Sequence, residues 1–330
     1  MLATPLRNTD DEATGTRTRR VLVGYDGSPP ALAAVAYAAE RVRGGDEGSE
    51  LIVAQSSSPP PEWRDTSYWD RSVEHHQERA RTLFDELPDA LLDGVTVRRE
   101  LLVGPPARSL ADLSDSLDAE EIVVGSRGFG PFRATLGSVS HALLHEAHRP
   151  VVVVPARMLG APSSARTPHR IVVGYDGSPS ARDAVAHAAY RATPEGTLVA
   201  VYAFRPPLEH HTTSWAAEAH EHQRELARRT LDEIPEELLG GVPVERRIVE
   251  APVADALVQV GVTENAGEIV MGSRGLGRFA AALGSASHAV LHEADRPVVV
   301  VPHEPTAEER EYAERVAQAR SWSFRQPMRL

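Results

Sequence analysis

The sequence predicts an α/β protein made of two tandem, doubly wound domains, each with a parallel sheet. A short repeat is the first observation: Arg20–Ser28 reads RVLVGYDGS and Arg170–Ser178 reads RIVVGYDGS. A longer repeat follows, because Glu120–Pro155 and Gly267–Pro302 are identical at 27 of 36 positions. Agreement at this level means that the two halves share one fold. The third observation is that short apolar runs alternate with helical patterns, which favours parallel strands joined by helices.

The first half contains five predicted strands separated by helices. The strands are Val21–Gly24, Leu51–Ala54, Val95–Leu102, Ile122–Val124 and Val151–Val154. Helices are predicted at Ala31–Arg43, near Trp69–Leu87, after Pro105–Pro106 and from Ser138 onward. Runs such as VVVV are typical of strands that are buried on both faces of a sheet. The second half repeats this order.

These patterns divide the chain into five segments. We predict a flexible N-terminal tail (1–19), a first domain (20–155), a linker (156–168), a second domain (169–302) and a C-terminal helical tail (303–330). Thr306 and Glu309 form a capping-box signature, so we predict a helix over Thr306–Ser321 that packs on a domain or on a partner chain.

Composition excludes several classes of protein. The chain has no cysteine, which removes disulfides, thiolate metal sites and cysteine nucleophiles. All 35 basic residues are arginine, so a P-loop, which requires a lysine, is excluded as well. A formal net charge of −12 argues against nucleic acid or an anionic membrane as the main partner. With neither a secretory signal nor a long apolar run, we expect a cytoplasmic protein.

Two loops in each half carry the candidate chemistry, and both follow predicted strands. The first loop contains Asp26 in one half and Asp176 in the other. The second loop begins with Gly-Ser-Arg-Gly and, eight residues later, continues with a Gly-Ser-x-Ser sequence that opens a helix. Its candidate residues are Gly125, Ser126, Arg127, Gly128, Gly137, Ser138 and Ser140, with Gly272, Ser273, Arg274, Gly275, Gly284, Ser285 and Ser287 in the second half.

The second loop has the chemistry of an anion site. Glycines allow the backbone to approach a phosphate, and the N-terminus of a helix offers unpaired N–H groups and partial positive charge. Serine hydroxyls add donors, and Arg127 and Arg274 supply positive charge. Asp26 and Asp176 suit the nucleoside end, where a carboxylate accepts hydrogen bonds from ribose or base. The alternative is that these glycines only turn the chain and that the aspartates only cap helices.

Taken together, these motifs resemble those of the universal stress protein family. The resemblance rests on Gly-Tyr-Asp-Gly-Ser, on Gly-Ser-Arg-Gly with Gly-Ser-Val-Ser, and on the terminal Arg-Pro-Val-Val-Val-Val-Pro, and it covers about residues 20–155 and 169–302. It implies a Rossmann-like, five-stranded sheet of order 3-2-1-4-5 and pairing of the domains through their last strands. It also implies a role in stress survival and, in the ATP-binding branch, a site at the aspartate and glycine-loop positions.

The resemblance therefore implies ATP, alone or with Mg²⁺, as the ligand of two pseudo-equivalent sites. One departure bears on this expectation, since ATP-binding members usually have nine residues where this chain has eight, at 129–136 and 276–283. The rival reading is an interaction module of the same fold that binds no nucleotide. Because no repeated acid–base pair stands out, we expect a sensor or regulator and not an enzyme, with slow ATP hydrolysis as a lesser alternative.

Histidines and partners complete the predictions. His141 and His145 are four residues apart on one predicted helix, as are His288 and His292. Since neither pair has an evident third ligand, we predict partly buried interface histidines and no metal site. We expect the two domains to pair within the chain. A homodimer and a regulatory protein partner are left open.

Overall fold

The computed structural model describes residues 18–43, 45, 47–57, 67–126, 137–161, 169–205, 214–273 and 284–303. Each half has five parallel strands and five helices in the described residues. The first half contains β1 (Arg20–Gly24), α1 (Pro29–Arg43), β2 (Glu50–Ser57), α2 (Ser67–Asp85), α3 (Asp89–Leu92), β3 (Val97–Val103), α4 (Pro106–Ser116), β4 (Glu121–Gly125), α5 (Ser138–Glu146) and β5 (Val151–Val154). The second contains β6 (Arg170–Gly174), α6 (Pro179–Arg191), β7 (Thr197–Ala203), α7 (Ser214–Asp232), α8 (Glu236–Leu239), β8 (Val244–Val249), α9 (Val253–Thr263), β9 (Glu268–Gly272), α10 (Ser285–Glu293) and β10 (Val298–Val301).

The ten strands form one sheet of order β3-β2-β1-β4-β5-β10-β9-β6-β7-β8. Each half therefore has the expected order 3-2-1-4-5, with β1 between β2 and β4 and β6 between β7 and β9. The halves join where β5 and β10 pair antiparallel, and Val152 lies opposite Val299, its own repeat equivalent. This register places a local two-fold axis at the centre of the sheet. The predicted pairing through the last strands is confirmed, and it leaves neither apolar run as an exposed edge.

Helices cover both faces of the sheet, because successive strand residues point to opposite sides. Val21 and Val23 face a layer made by α1 to α3 and α6 to α8. Leu22 faces the other layer, which α4, α5, α9 and α10 form. Both apolar clusters contain residues of the two halves, so each core continues across the β5–β10 junction.

A buried polar network also joins the halves, beneath α1 and α6. Arg191 donates to both carboxylate oxygens of Glu268, each at 2.7 Å, and to Glu121 of the first half. Tyr37 donates to Glu268 at 2.5 Å, and Arg191 also contacts the Tyr37 hydroxyl. Arg41 lies 3.4 Å from Glu121. Solvent hardly reaches the side chains of Arg191, Glu121, Glu268 and Tyr37. The charges of this network are therefore stabilised by one another and not by water.

Burial and charge shift the pKa values in this network in opposite directions. Burial alone would raise the pKa of Glu121, but Arg191 and Arg41 outweigh it and hold the pKa at about 2. The repeat equivalent of Tyr37 is His187, which stacks on Tyr190 with ring centroids 6.3 Å apart. Burial lowers the pKa of His187 to about 3, and the positive charge of Arg191 adds to the effect. The buried Nε2 of His187 has no hydrogen-bond partner among the described residues.

The ordered structure extends past two of the predicted boundaries. Arg19 is assigned to the tail by sequence, yet it is only 9% exposed and donates to the carbonyl of Arg41 at 3.1 Å. The linker begins with a 3-10 turn, Ala156–Met158, whose Met158 is buried in the core. The short helices α3 and α8 were not predicted. The predicted helix Thr306–Ser321 lies outside the described residues. Among the described helices, none combines the length and apolarity needed to cross a bilayer.

Candidate functional site

In the described residues, the two candidate loops of each half both start at the carboxyl edge of the sheet, after neighbouring strands. Val23 lies beside Val123 in the β1–β4 register, and Val173 lies beside Val270 in the β6–β9 register. From β1 the strand order proceeds to β2 on one side and to β4 on the other, and open α/β sheets bind their ligands in the crevice at such a switch point. The sequence placed Asp26 and the Gly125 loop in one crevice, and the strand order is the one which that arrangement requires.

Asp26 shapes the first loop. Its Oδ1 accepts the N–H of Ser28 at 2.9 Å, and Gly27 between them has φ = 81°. Asp176 accepts the N–H of Ser178 at 3.0 Å in the same way. Such turns use one carboxylate oxygen and leave the other outside the turn. The side chain of Asp26 is exposed, and that of Asp176 is half-buried.

The second loop starts at a position where only glycine fits. A Cβ on Gly125 would lie 2.6 Å from the carbonyl carbon of Pro30, at the start of α1. A Cβ on Gly272 would lie 2.6 Å from the carbonyl oxygen of Ser180, the repeat equivalent of Pro30. These contacts explain both glycines by packing, because the helix after the first strand abuts the end of the fourth. They also hold the two loops close together.

Hydrogen bonds close each second loop at its base. The N–H of Gly137 donates to the carbonyl of Ser126 at 2.8 Å, and that of Gly284 donates to Ser273 at 3.0 Å. Buried Ser140 donates its hydroxyl to the carbonyl of Gly125 at 2.8 Å, and Ser287 donates to Gly272 at 3.1 Å. Each of these hydroxyl groups therefore holds the base of its own loop. Their predicted contact with a phosphate stays a prediction.

Helices α5 and α10 begin directly after these closures. Gly137 and Gly284 are their N-caps, and no side chain caps either helix within the described residues. By contrast, α6 is capped by Ser178, which accepts the N–H of Ala181 at 3.2 Å. The first-turn N–H groups at Ser138 and Ser285 therefore have the setting that favours an anion. Arg127, Gly128, Arg274, Gly275 and both eight-residue spacings lie outside the described residues.

Gln55 and Tyr202 are two further candidate site residues, which the sequence analysis missed. Gly24 pairs with Ala54 and Gly174 with Val201, so the next residues, Gln55 and Tyr202, occupy equivalent positions beside the first loop. Burial raises the pKa of Tyr202, and the nearby carboxylate of Asp176 raises it further. Gln55 is only 9% exposed, and its Oε1 has no hydrogen-bond partner among the described residues. A polar residue at the end of an apolar strand was the available signal.

A cavity of about 330 Å³ adjoins the first crevice. It extends from Pro30 and Ser126 to Arg157 and to the C-terminal end of α10, and so lies at the junction of the halves. Arg157 donates to the carbonyl of Asp295 at 2.6 Å, which anchors its guanidinium at the cavity wall. Among the described residues, no three His, Asp or Glu side chains are placed to hold one metal ion.

Fold and site together define a class of protein: a tandem α/β protein with two doubly wound domains, each with an acidic turn and a glycine loop at its strand-order switch point. The model of the universal stress protein family matches residues 17–155 and 168–302. The chain belongs to the universal stress protein family, as a member with two tandem domains.

Known relatives share both domains. A universal stress protein of Mycolicibacterium smegmatis is 34% identical over 299 residues, covering 85% of this chain and 96% of the relative. One from Mycobacterium tuberculosis is 31% identical over 317 residues, covering 86% of this chain and 96% of the relative. The crystal structure of a universal stress protein from Archaeoglobus fulgidus has a TM-score of 0.62 at 21% identity, covering 86% and 98% of the two chains. At this level of identity, the structural likeness shows a shared fold.

Proposed function

We propose that this chain is a non-catalytic stress-response sensor or regulator that binds an adenine nucleotide, foremost ATP, in the crevice of each half. The proposal includes a cytoplasmic location. The observation that carries it is a duplicated arrangement, in which an acidic turn follows one strand and an uncapped helix begins after the loop of the neighbouring strand. An acidic turn suits ribose or base hydroxyl and amine groups, and the helix start suits phosphates.

Buried Gln55 supports a polar ligand in the first half. Leaving a buried acceptor unpaired costs about 1–3 kcal/mol, so a partner that supplies a donor is strongly favoured there. The exocyclic amine of adenine is such a donor, and Gln side chains pair well with adenine edges. The second half has Tyr202 at this position, so the two sites are proposed to differ in how they hold the base.

The interaction module remains the competing function, and specific contacts favour it. Asp26, Gly125 and Ser140 each have a structural duty that needs no ligand, namely a turn, a close approach and a loop brace. In that case the motifs would preserve the fold and the halves would present surfaces to a partner. Nucleotide titration separates the two functions directly.

We expect affinity to rise from adenosine to AMP to ADP to ATP. Each phosphate adds contacts at the helix start, worth on the order of 0.3–1 kcal/mol each and more where water is excluded. Calorimetry at fixed ionic strength measures the series, with and without Mg²⁺. The double variant Asp26→Ala/Asp176→Ala should bind ATP about 10- to 150-fold more weakly, through loss of charge-assisted hydrogen bonds. A flat series, or no binding at all, favours the interaction module.

Gln55→Leu should raise the stability of the unliganded protein while it weakens binding. Removing the unpaired acceptor should add about 1–3 kcal/mol to the free energy of unfolding in urea. In an Asp176→Ala background, which leaves the first site intact, adenosine affinity should fall about 2- to 13-fold. Tyr202→Phe in the same background is the control and should leave the first site unchanged. A gain in stability without any loss of affinity would remove Gln55 from the site.

A further inference from the structure

Four imidazoles form a row across the junction of the two halves. His141 and His145 lie on α5, and His288 and His292 lie on α10. Because β5 and β10 pair antiparallel at the centre of the sheet, the two helices come together on one face. Ring centroids are 4.9 Å apart in the first pair, 4.4 Å apart in the second, and 6.1 Å apart between His141 and His288. We call these four side chains the histidine row.

The second pair has the spacing of a chelate. The Nε2 atoms of His288 and His292 are 3.4 Å apart. Two nitrogens bound to one tetrahedral Zn²⁺, each at about 2.0–2.1 Å, are separated by about 3.4 Å. The ring centroids are closer than in a formed chelate, so the two rings must turn apart to aim both Nε2 lone pairs at one ion, a rotation open to side chains on the outer face of a helix. Each Nε2 is then the unprotonated nitrogen, with the ring proton on Nδ1.

Exposure makes the row accessible to a hydrated ion. His141, His145 and His288 are exposed and His292 is half-buried, so the expectation of partly buried histidines is wrong for three of the four. The expectation that they lie at an interface is confirmed by the contact between His141 and His288. None of the three exposed members forms an ion pair with an acidic residue in the described parts of the chain. Imidazoles clustered at an exposed surface are suited to a shared cation.

We propose that the histidine row binds a divalent transition-metal ion of the zinc class, chelated by the Nε2 atoms of His288 and His292. Imidazole is a preferred ligand of Zn²⁺, Ni²⁺ and Cu²⁺. Since no three described His, Asp or Glu side chains surround one point, the protein supplies two ligands and water completes the coordination. Such a site exchanges its ion readily. It lies at the junction of the halves, where His292 also lines the cavity that adjoins the first crevice.

The sequence argued against a metal site because each pair lacked an evident third ligand. The structure changes that argument in two ways. It gives the His288–His292 pair a measured nitrogen separation that fits a chelate, and it places a second pair from the other half alongside. Neither the rotamers nor the side-by-side placement of α5 and α10 can be read from a spacing of four residues.

Calorimetric titration of the tag-free, chelator-treated full chain with ZnCl₂, without nucleotide, tests the proposal. Saturable binding is expected in the wild type. His288→Gln/His292→Gln should weaken it by more than about tenfold, since even the loss of outer-shell partners costs 10- to 100-fold. The matched control, His75→Gln/His222→Gln, removes two exposed histidines from α2 and α7 and should bind like the wild type.

A second readout identifies the ligands. Imidazole ¹⁵N spectra of the zinc-loaded protein should show the Nε2 signals of His288 and His292 shifted and those of His75 and His222 unchanged. Of the four side chains replaced, three are exposed and His292 is half-buried, and the urea unfolding curves of both double variants should match that of the wild type. Absence of saturable binding in the wild type, or equal affinity in the two double variants, overturns the proposal.

Discussion

Arg191→Met is expected to lower the free energy of unfolding by about 3–5 kcal/mol. Arg191 is fully buried and holds two carboxylates, Glu268 of its own half and Glu121 of the other. Removal of the guanidinium leaves both carboxylates in the interior, with Arg41 in contact only with Glu121 at 3.4 Å. Methionine fills much of the volume, so the loss reports uncompensated charge and not a cavity. Urea unfolding of the full chain measures it.

A surface arginine with the same number of partners is the control. Arg247 contacts Glu245 at 2.7 Å and Glu264 at 3.3 Å, but its side chain is 43% exposed. Arg247→Met should therefore cost no more than about 1 kcal/mol. The triple variant Arg191→Met/Glu121→Gln/Glu268→Gln should recover much of the loss, because it removes the stranded charges. If Arg191→Met and Arg247→Met lower the free energy of unfolding equally, the buried network stabilises the junction no more than a surface ion pair does.

We expect His187 to make the protein unstable in mild acid. Its pKa is about 3 in the folded chain and about 6.5 in an unfolded one, so the unfolded chain binds more protons between these values. Stability is therefore unaffected above pH 6.5 and falls as the pH drops through this window. The loss should reach about 2 kcal/mol at pH 5 and about 4 kcal/mol near pH 3.

His187→Phe should remove this part of the pH dependence. Comparison of urea unfolding at pH 7.5 and pH 5.0 isolates the histidine, because Glu121, with its pKa near 2, contributes its own loss only as the pH falls below about 4.5. His222→Phe, at an exposed position of α7, should leave the slope unchanged. Parallel curves for the wild type and His187→Phe would show that His187 is protonated in the folded chain without cost.

Much of the fold was accessible from local patterns. Apolar runs placed the central strands to within a few residues, as with Val151–Val154, and the repeat guaranteed that a correct assignment in one half held in the other. The domain boundaries were predicted less accurately. The position of Arg19 depends on Ser49 and on the carbonyl of Arg41, which are 30 and 22 residues away along the chain. No local pattern encodes such contacts.

The candidate site was also predicted only in part, because some of its features are local in sequence and others depend on long-range contacts. Asp26 and Gly125 belong to short sequence motifs, so both could be identified without the structure. Gln55 was missed because its importance lies in being buried beside the Asp26 turn with an unpaired oxygen, which depends on the β1–β2 register. Gly125 was assigned to phosphate approach, whereas the structure gives it a packing reason that involves Pro30, 95 residues earlier in the chain.

Local patterns were enough for the two-domain α/β architecture and the family, since repeated apolar runs and turn motifs carry that information within short windows. The pairing of the last strands came from the family resemblance, and how the two halves contact one another was visible only in the folded chain. Arg191, Glu121 and Tyr37 become one buried network because antiparallel pairing of β5 with β10 brings α1 and α6 together. The same pairing aligns His141 with His288. Contacts between residues more than a hundred positions apart depend on strand order and packing, which no single stretch of sequence specifies.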